Sequence, residues 1–76
     1  MVEVFWKPDC GSCDLLKKVL NRKNIPFVSY DVSTDTAAKA RLDALGYTMV
    51  PVTIVNNDRH FAGVLSDEIN ELAAAA

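Results

Sequence analysis

Histidine and tryptophan each occur once in this sequence, cysteine twice, and glycine and proline three times each. The scarcity of metal ligands argues against a zinc site within one chain, because zinc takes four ligands and the chain offers Cys10, Cys13 and the distant His60. Two cysteines three positions apart do not staple a fold either: closing a four-residue loop is worth only about 2 kcal/mol in the chain-entropy model. The pair is chemical rather than structural. Long apolar runs are missing as well. Nothing approaches the roughly 18 residues of a membrane span, and the N-terminus has no basic region leading into an apolar signal core. The expected compartment is therefore the cytoplasm, with no membrane partner.

A surplus of positive charge is also lacking, the formal net charge being −2. Residues 1–30 carry a balance of +2 and the remainder a balance of −4. No aromatic residues interleave with the basic ones, which argues against nucleic acid. The helix dipole accounts for the pattern better. Asp14 lies near the start of a candidate helix, where an acid is favoured, and Lys17, Lys18, Arg22 and Lys23 lie towards its end, where bases are favoured.

What is present is enough for one folded domain, residues 1–76, expected to act as a monomer. Half of the 76 residues are hydrophobic and charge is ordinary in amount, while a chain of this length buries only about 60% of its unfolded surface. Val2–Trp6 reads as a buried strand closed by Lys7 and Pro8. From Cys13 the positions Leu16, Val19 and Leu20 recur at helical spacing, predicting a helix over 13–23 that Asn24 and Pro26 end. Residues 27–32 read as a second strand, parallel to the first through a right-handed crossover. Asp35 and its neighbours are capping residues before a helix over 37–45, with Ala38, Leu42 and Leu45 as its apolar stripe and Gly46 as its stop. Val52–Val55 and Arg59–Ala62 make a hairpin across Asn56, Asn57 and Asp58. Ser66 is the expected cap of a last helix that buries Ile69 and Leu72, with a frayed tail over 73–76. The order is β-α-β-α-β-β-α.

Cys10-Gly11-Ser12-Cys13 therefore stands where a strand passes into a helix, the placement of a thioredoxin-like redox site. The first peptide N–H groups of a helix lack intrahelical partners and carry partial positive charge, so a thiolate there is favoured over a thiol. The pKa of such a cysteine falls from about 8.5 towards neutrality or below. Cys10, at the mouth, is the expected nucleophile, and Cys13, one turn inside, the resolving thiol. Lys7 could add positive charge beside the thiolate or be a plain surface lysine; Pro8 fixes the entry to the loop. Pro51 reads as a strand-start proline, His60 as a strand residue near a turn, and Trp6 and Phe61 as core or half-buried sheet residues.

Taken together these residues resemble the glutaredoxins, and more closely the NrdH redoxins. The resemblance rests on Lys7-Pro8-x-Cys10-x-x-Cys13, Ala44-Leu45-Gly46-Tyr47, Pro51-Val52, and His60-Phe61-Ala62-Gly63 followed by Asp67 and Ile69. It implies a minimal thioredoxin fold, a four-stranded mixed sheet flanked by three helices. It also implies a dithiol-disulfide oxidoreductase with no bound cofactor, whose working group is the Cys10–Cys13 disulfide. Lys7, Pro8, Gly11, Ser12 and Pro51 would support the site, with Pro51 after a cis bond and facing the cysteines. Met49, Val50, Phe61, Ala62, Gly63, Ser66 and Asp67 would meet the substrate or partner, the backbone of Val50 pairing with an extended segment. The implied donor is thioredoxin reductase and the implied acceptor ribonucleotide reductase or another disulfide protein. Glutathione is the alternative donor, as in a glutaredoxin. Met49 replaces the threonine that glutaredoxins place before Val-Pro, and Ala62-Gly63 their paired glycines; both changes weaken a glutathione site. A zinc or iron-sulfur module, held through Cys10 or the pair, is the reading from another class.

Overall fold

Residues 1–75 are described by a computed structural model. The elements run β1 (Val2–Trp6), α1 (Gly11–Arg22), β2 (Val28–Asp31), α2 (Thr36–Ala44), β3 (Val52–Val55), β4 (Arg59–Ala62) and α3 (Ser66–Ala75), in the expected order. The strands form one sheet in the order β2-β1-β3-β4. β1 is parallel to β2 and antiparallel to β3, which is antiparallel to β4, so the sheet is mixed.

Alternation along β1 divides the core in two. Val4 packs with Leu16 and Leu20 of α1, Ile25, Phe61, and Ile69 and Leu72 of α3. Phe5, its neighbour, points the other way and packs with Ala38 and Leu42 of α2 and with Val52 and Ile54 of β3. Successive strand residues face opposite sides of a sheet, so one apolar run serves both cores. This is the minimal thioredoxin fold, with two helices on one face and one on the other.

The helix ends follow from hydrogen bonds that sequence spacing does not locate to the residue. α1 begins at Gly11 rather than at Cys13, because Cys10 is its cap: the Cys10 carbonyl accepts from Asp14 N–H at 3.1 Å and its sulfur from Cys13 N–H at 3.2 Å. Its other end is a Schellman turn. Asn24 takes a left-handed φ of 56° and its N–H reaches the Asn21 carbonyl, while Ile25 N–H reaches that of Leu20. α2 ends in the same way, with Gly46 at φ 85° and Tyr47 N–H on the Leu42 carbonyl.

Four further expectations are corrected here. Leu45 occupies the cap position of α2 and is exposed, so the buried stripe consists of Ala38 and Leu42 alone. Ser66 is the first residue of α3 and not its cap, since the carbonyl that accepts from Ile69 N–H belongs to Leu65. The second strand is shorter than residues 27–32; Phe27 and Val32 flank it and pack into the α1 and α2 sides respectively. α3 keeps helical geometry to Ala75, against the expected fraying from residue 73, and residue 76 lies outside the described residues.

Candidate active site

The sheet register brings three separated segments to one end of the molecule. Phe5 of β1 pairs with Val52 of β3, and Val52 with Ala62 of β4. The loop from Lys7 to Cys10 therefore leaves β1 where Val50 and Pro51 enter β3, and where Gly63 leaves β4 towards the start of α3. Gly63 N–H donates to the Pro51 carbonyl at 2.8 Å, which ties two of these segments together. Gly63 has a φ of 81°, a left-handed conformation that any side chain makes costly. A Cβ built on it would meet no atom within 4 Å, so its glycine answers the backbone turn and not crowding within the chain.

At this end Cys10 and Cys13 form a disulfide, their Cα atoms 5.2 Å apart. Cys13 is fully buried at the first turn of α1, whereas Cys10 is partly open to solvent. The asymmetry distinguishes the two sulfurs. An incoming sulfur can reach Cys10 alone, and Cys13 can reach only Cys10. The Cys10 sulfur already receives Cys13 N–H, and the Ser12 hydroxyl lies 3.6 Å from it. Donors at a helix start favour negative charge on that sulfur once the disulfide is reduced.

The supporting residues fall into two groups. Pro51 is fully buried and follows a cis peptide bond from Val50, as the resemblance implies. Lys7, Pro8, Gly11 and Ser12 are exposed around the cysteines, and Val50, Ala62 and Gly63 are half-buried. Met49 stands out at 57% exposure, and Ser66 and Asp67 are exposed at the head of α3. Phe61 is the exception. Its ring is 7% exposed and packed among Val4, Leu16 and Leu20, so it holds the sheet under the site and presents nothing to a partner. β4 turns that residue inward because its neighbours His60 and Ala62 face the opposite way.

Two contacts escaped the sequence reading. The Lys17 ammonium lies 3.4 Å from the centre of the Trp6 ring, a cation–π stack one helical turn below Cys13. Its signal was present: Trp6 alternates with Val4 towards α1, and Lys17 follows Cys13 by four residues. His60 is not free either, its Nδ1 being 2.5 Å from the Tyr47 hydroxyl. A cleft of about 140 Å³ beside Lys7 is lined by Val32, Lys39, Leu42 and the segment from Tyr47 to Val50. Among the described residues no group of three or more His, Cys, Asp or Glu is placed to hold a metal ion.

Comparison with known proteins gives this geometry its context. Residues 2–61 match the family model described as glutaredoxin. The SPbeta prophage-derived thioredoxin-like protein YosR of Bacillus subtilis (strain 168) is 31% identical over 71 residues, which cover 87% of this chain and 85% of that protein. The structure of the glutaredoxin-like protein NrdH-redoxin from Escherichia coli, a protein of thioredoxin-like activity profile, superposes with a TM-score of 0.86. It is 27% identical, over 93% of this chain and 92% of its own. The thioredoxin-like protein BC3987 superposes with a TM-score of 0.84 at 27% identity, over 95% of this chain and 99% of its own.

Proposed function

Since the chain belongs to the glutaredoxin family, and is a thioredoxin-fold redox protein, we propose that it is a cytoplasmic electron carrier that reduces protein disulfides through the Cys10–Cys13 dithiol. One observation carries the reading: a disulfide at a helix start with one sulfur accessible and the other sealed. In the reduced protein the Cys10 thiolate attacks a substrate disulfide. One substrate sulfur leaves as a thiolate and takes up a proton, and Cys10 is left in a mixed disulfide. Cys13 then gives up its proton and attacks the Cys10 sulfur, expelling the second substrate thiol. Two electrons have passed to the substrate, and the Cys10–Cys13 disulfide has formed.

Thioredoxin reductase is the proposed donor and ribonucleotide reductase the first client to test, in keeping with the likeness to NrdH-redoxin. A second donor, glutathione, is favoured by the cleft that brings Lys7 and Lys39 beside Met49 and Val50, two cations facing where an anionic peptide would lie. At about 140 Å³ that cleft is smaller than the usual small-molecule site of some 300–1,000 Å³, which supports the reductase instead. Lys39 is also engaged by Asp43 at 2.5 Å.

NADPH oxidation with a disulfide substrate decides between them, run with thioredoxin reductase alone and with glutathione plus glutathione reductase. Turnover with the first alone is expected; turnover only with the second makes the protein a short glutaredoxin. The Cys10→Ser variant is expected to lose turnover entirely. Cys13→Ser is expected to accumulate a mixed disulfide visible by mass spectrometry, and absence of any adduct would mean that the roles given to the two sulfurs are wrong. The metal-module reading is tested by the absorption spectrum and metal content of anaerobically purified protein.

A further inference from the structure

Thr48, Met49 and Val50 form the stretch that leads into Pro51, and among the described residues none of their peptide groups is hydrogen-bonded within the chain. Free N–H and C=O groups suit pairing with an added strand, but they leave the stretch to be placed by its two ends. β4 holds both ends. Gly63, just after that strand, donates its N–H to the Pro51 carbonyl at 2.8 Å. At the other end the Tyr47 hydroxyl and His60 Nδ1 share a hydrogen bond at 2.5 Å, their rings edge to face with centroids 5.4 Å apart. From this geometry, and resting on the redox reading above, we propose that Tyr47 and His60 are positioning residues, whose bond fixes the stretch in the form that an extended, disulfide-bearing segment of a client protein binds.

Tyr47 starts the segment at the end of α2, where its N–H closes the Schellman turn on the Leu42 carbonyl. That bond holds the backbone at Tyr47 and leaves the course of the chain beyond it open. The side chain supplies the second restraint. Its ring packs on the α2 side of the sheet, as do Val50 and Ala62, and its hydroxyl reaches His60. His60 is available because alternation along β4 turns it away from the side that Phe61 faces, opposite Ile54 in the register. A stretch tethered at both ends to one strand has lost much of its conformational freedom before a client arrives, so less ordering is left to oppose binding. Neither side chain is hydrogen-bonded to a cysteine sulfur. The effect therefore falls on how tightly a protein client is held, and a small disulfide that pairs with no backbone does not sense it.

The test uses the full-length protein, its Tyr47→Phe and His60→Leu variants and the double variant, with far-UV circular dichroism showing that each is folded. Pre-reduced protein is mixed with insulin, as a protein disulfide, and with dithiobis-nitrobenzoate, a disulfide too small to lie along the segment. With insulin each single variant is expected to raise the half-saturating concentration about three- to tenfold at an unchanged limiting rate, the range that loss of one hydrogen bond gives. The double variant is expected to be no weaker than either single one, because the two side chains act through one bond. With the small disulfide all the proteins are expected to react at the same rate. Single variants that bind insulin like the wild-type protein overturn the proposal, as does an equal loss on both disulfides or a double variant in which the two losses multiply. A second measurement needs no substrate. NMR order parameters of the Thr48, Met49 and Val50 amides are expected to fall in Tyr47→Phe below about 0.6, while those of Val52–Val55 stay at about 0.85. Unchanged order overturns the proposal whether or not the wild-type protein reduces any disulfide; failure of that reduction overturns the redox reading instead.

Discussion

Glu3 is the one buried charge among the described residues, 7% exposed on the second position of β1. Arg41 of α2 makes this tenable with a two-pronged bond, Nη1 to Oε2 at 2.8 Å and Nη2 to Oε1 at 2.9 Å. That guanidinium holds the Glu3 carboxyl below the usual carboxylate range, against a smaller opposing effect of burial. The neighbouring Tyr30 hydroxyl is pushed up by the carboxylate. A carboxyl whose folded pKa is depressed stabilises the fold above its unfolded pKa of about 4.3, and loses that contribution as pH falls through the folded value. Glu3→Gln is therefore expected to be less stable than wild type near neutral pH, with the gap closing on acidification below about pH 5. Urea unfolding from pH 3 to 7 measures it, and a gap independent of pH would show that the ion pair is not its source. Arg41→Met should cost about 1–2 kcal/mol, less than for a fully enclosed pair because the Arg41 side chain is 40% exposed.

At the scale of elements, what could be read in advance was whatever depends on composition and period. Val2–Trp6, Val52–Val55 and Arg59–Ala62 emerge with the boundaries expected for them, since β-branched runs between turn residues leave little choice. Gly46 and Asn24 were recognisable as stops because few residues accept left-handed backbone. Less legible was anything that depends on a helix's phase against the sheet. The stripe through Ala38 and Leu42 extends to Leu45 only if the helix continues, and a Schellman turn ends it one residue earlier. Phe61 reads as a core or half-buried sheet residue from its strand and as a contact residue only from the resemblance, and its burial with Val4 and Leu16 bears out the first. The cysteine pair was plain, whereas the Lys17–Trp6 stack joins a strand and a helix whose relative placement no local pattern specifies. Caps, by contrast, are local and testable. Asp35 accepts from Ala38 N–H at 3.0 Å, and Asp35→Ala should remove about 1 kcal/mol and lower the melting midpoint by about 4–8 °C in a thermal scan.

Across the whole molecule, charge is arranged to leave the working end unencumbered. The cations after residue 30, Lys39, Arg41 and Arg59, are each engaged by acids, Arg59 by both Glu68 and Glu71 of α3. The disulfide sits outside this scaffold, at the head of one helix whose buried side is anchored by Leu16 and Leu20. Opening it releases a four-residue loop and leaves both cores intact. The oxidised form is accordingly expected to exceed the reduced one in stability by no more than about 2 kcal/mol, measured by guanidinium unfolding with and without reductant. A much larger difference would mean that the disulfide holds the fold.

The sealing of Cys13 also decides how this protein meets oxidants such as peroxide. An oxidant from solvent finds only the Cys10 sulfur and converts it to a sulfenic acid. Cys13, one turn below and out of reach of the oxidant, condenses with that acid, expelling water and restoring the disulfide before further oxygen can be added. Injury at the exposed sulfur would thereby be returned to the Cys10–Cys13 disulfide, the oxidised form of the proposed cycle.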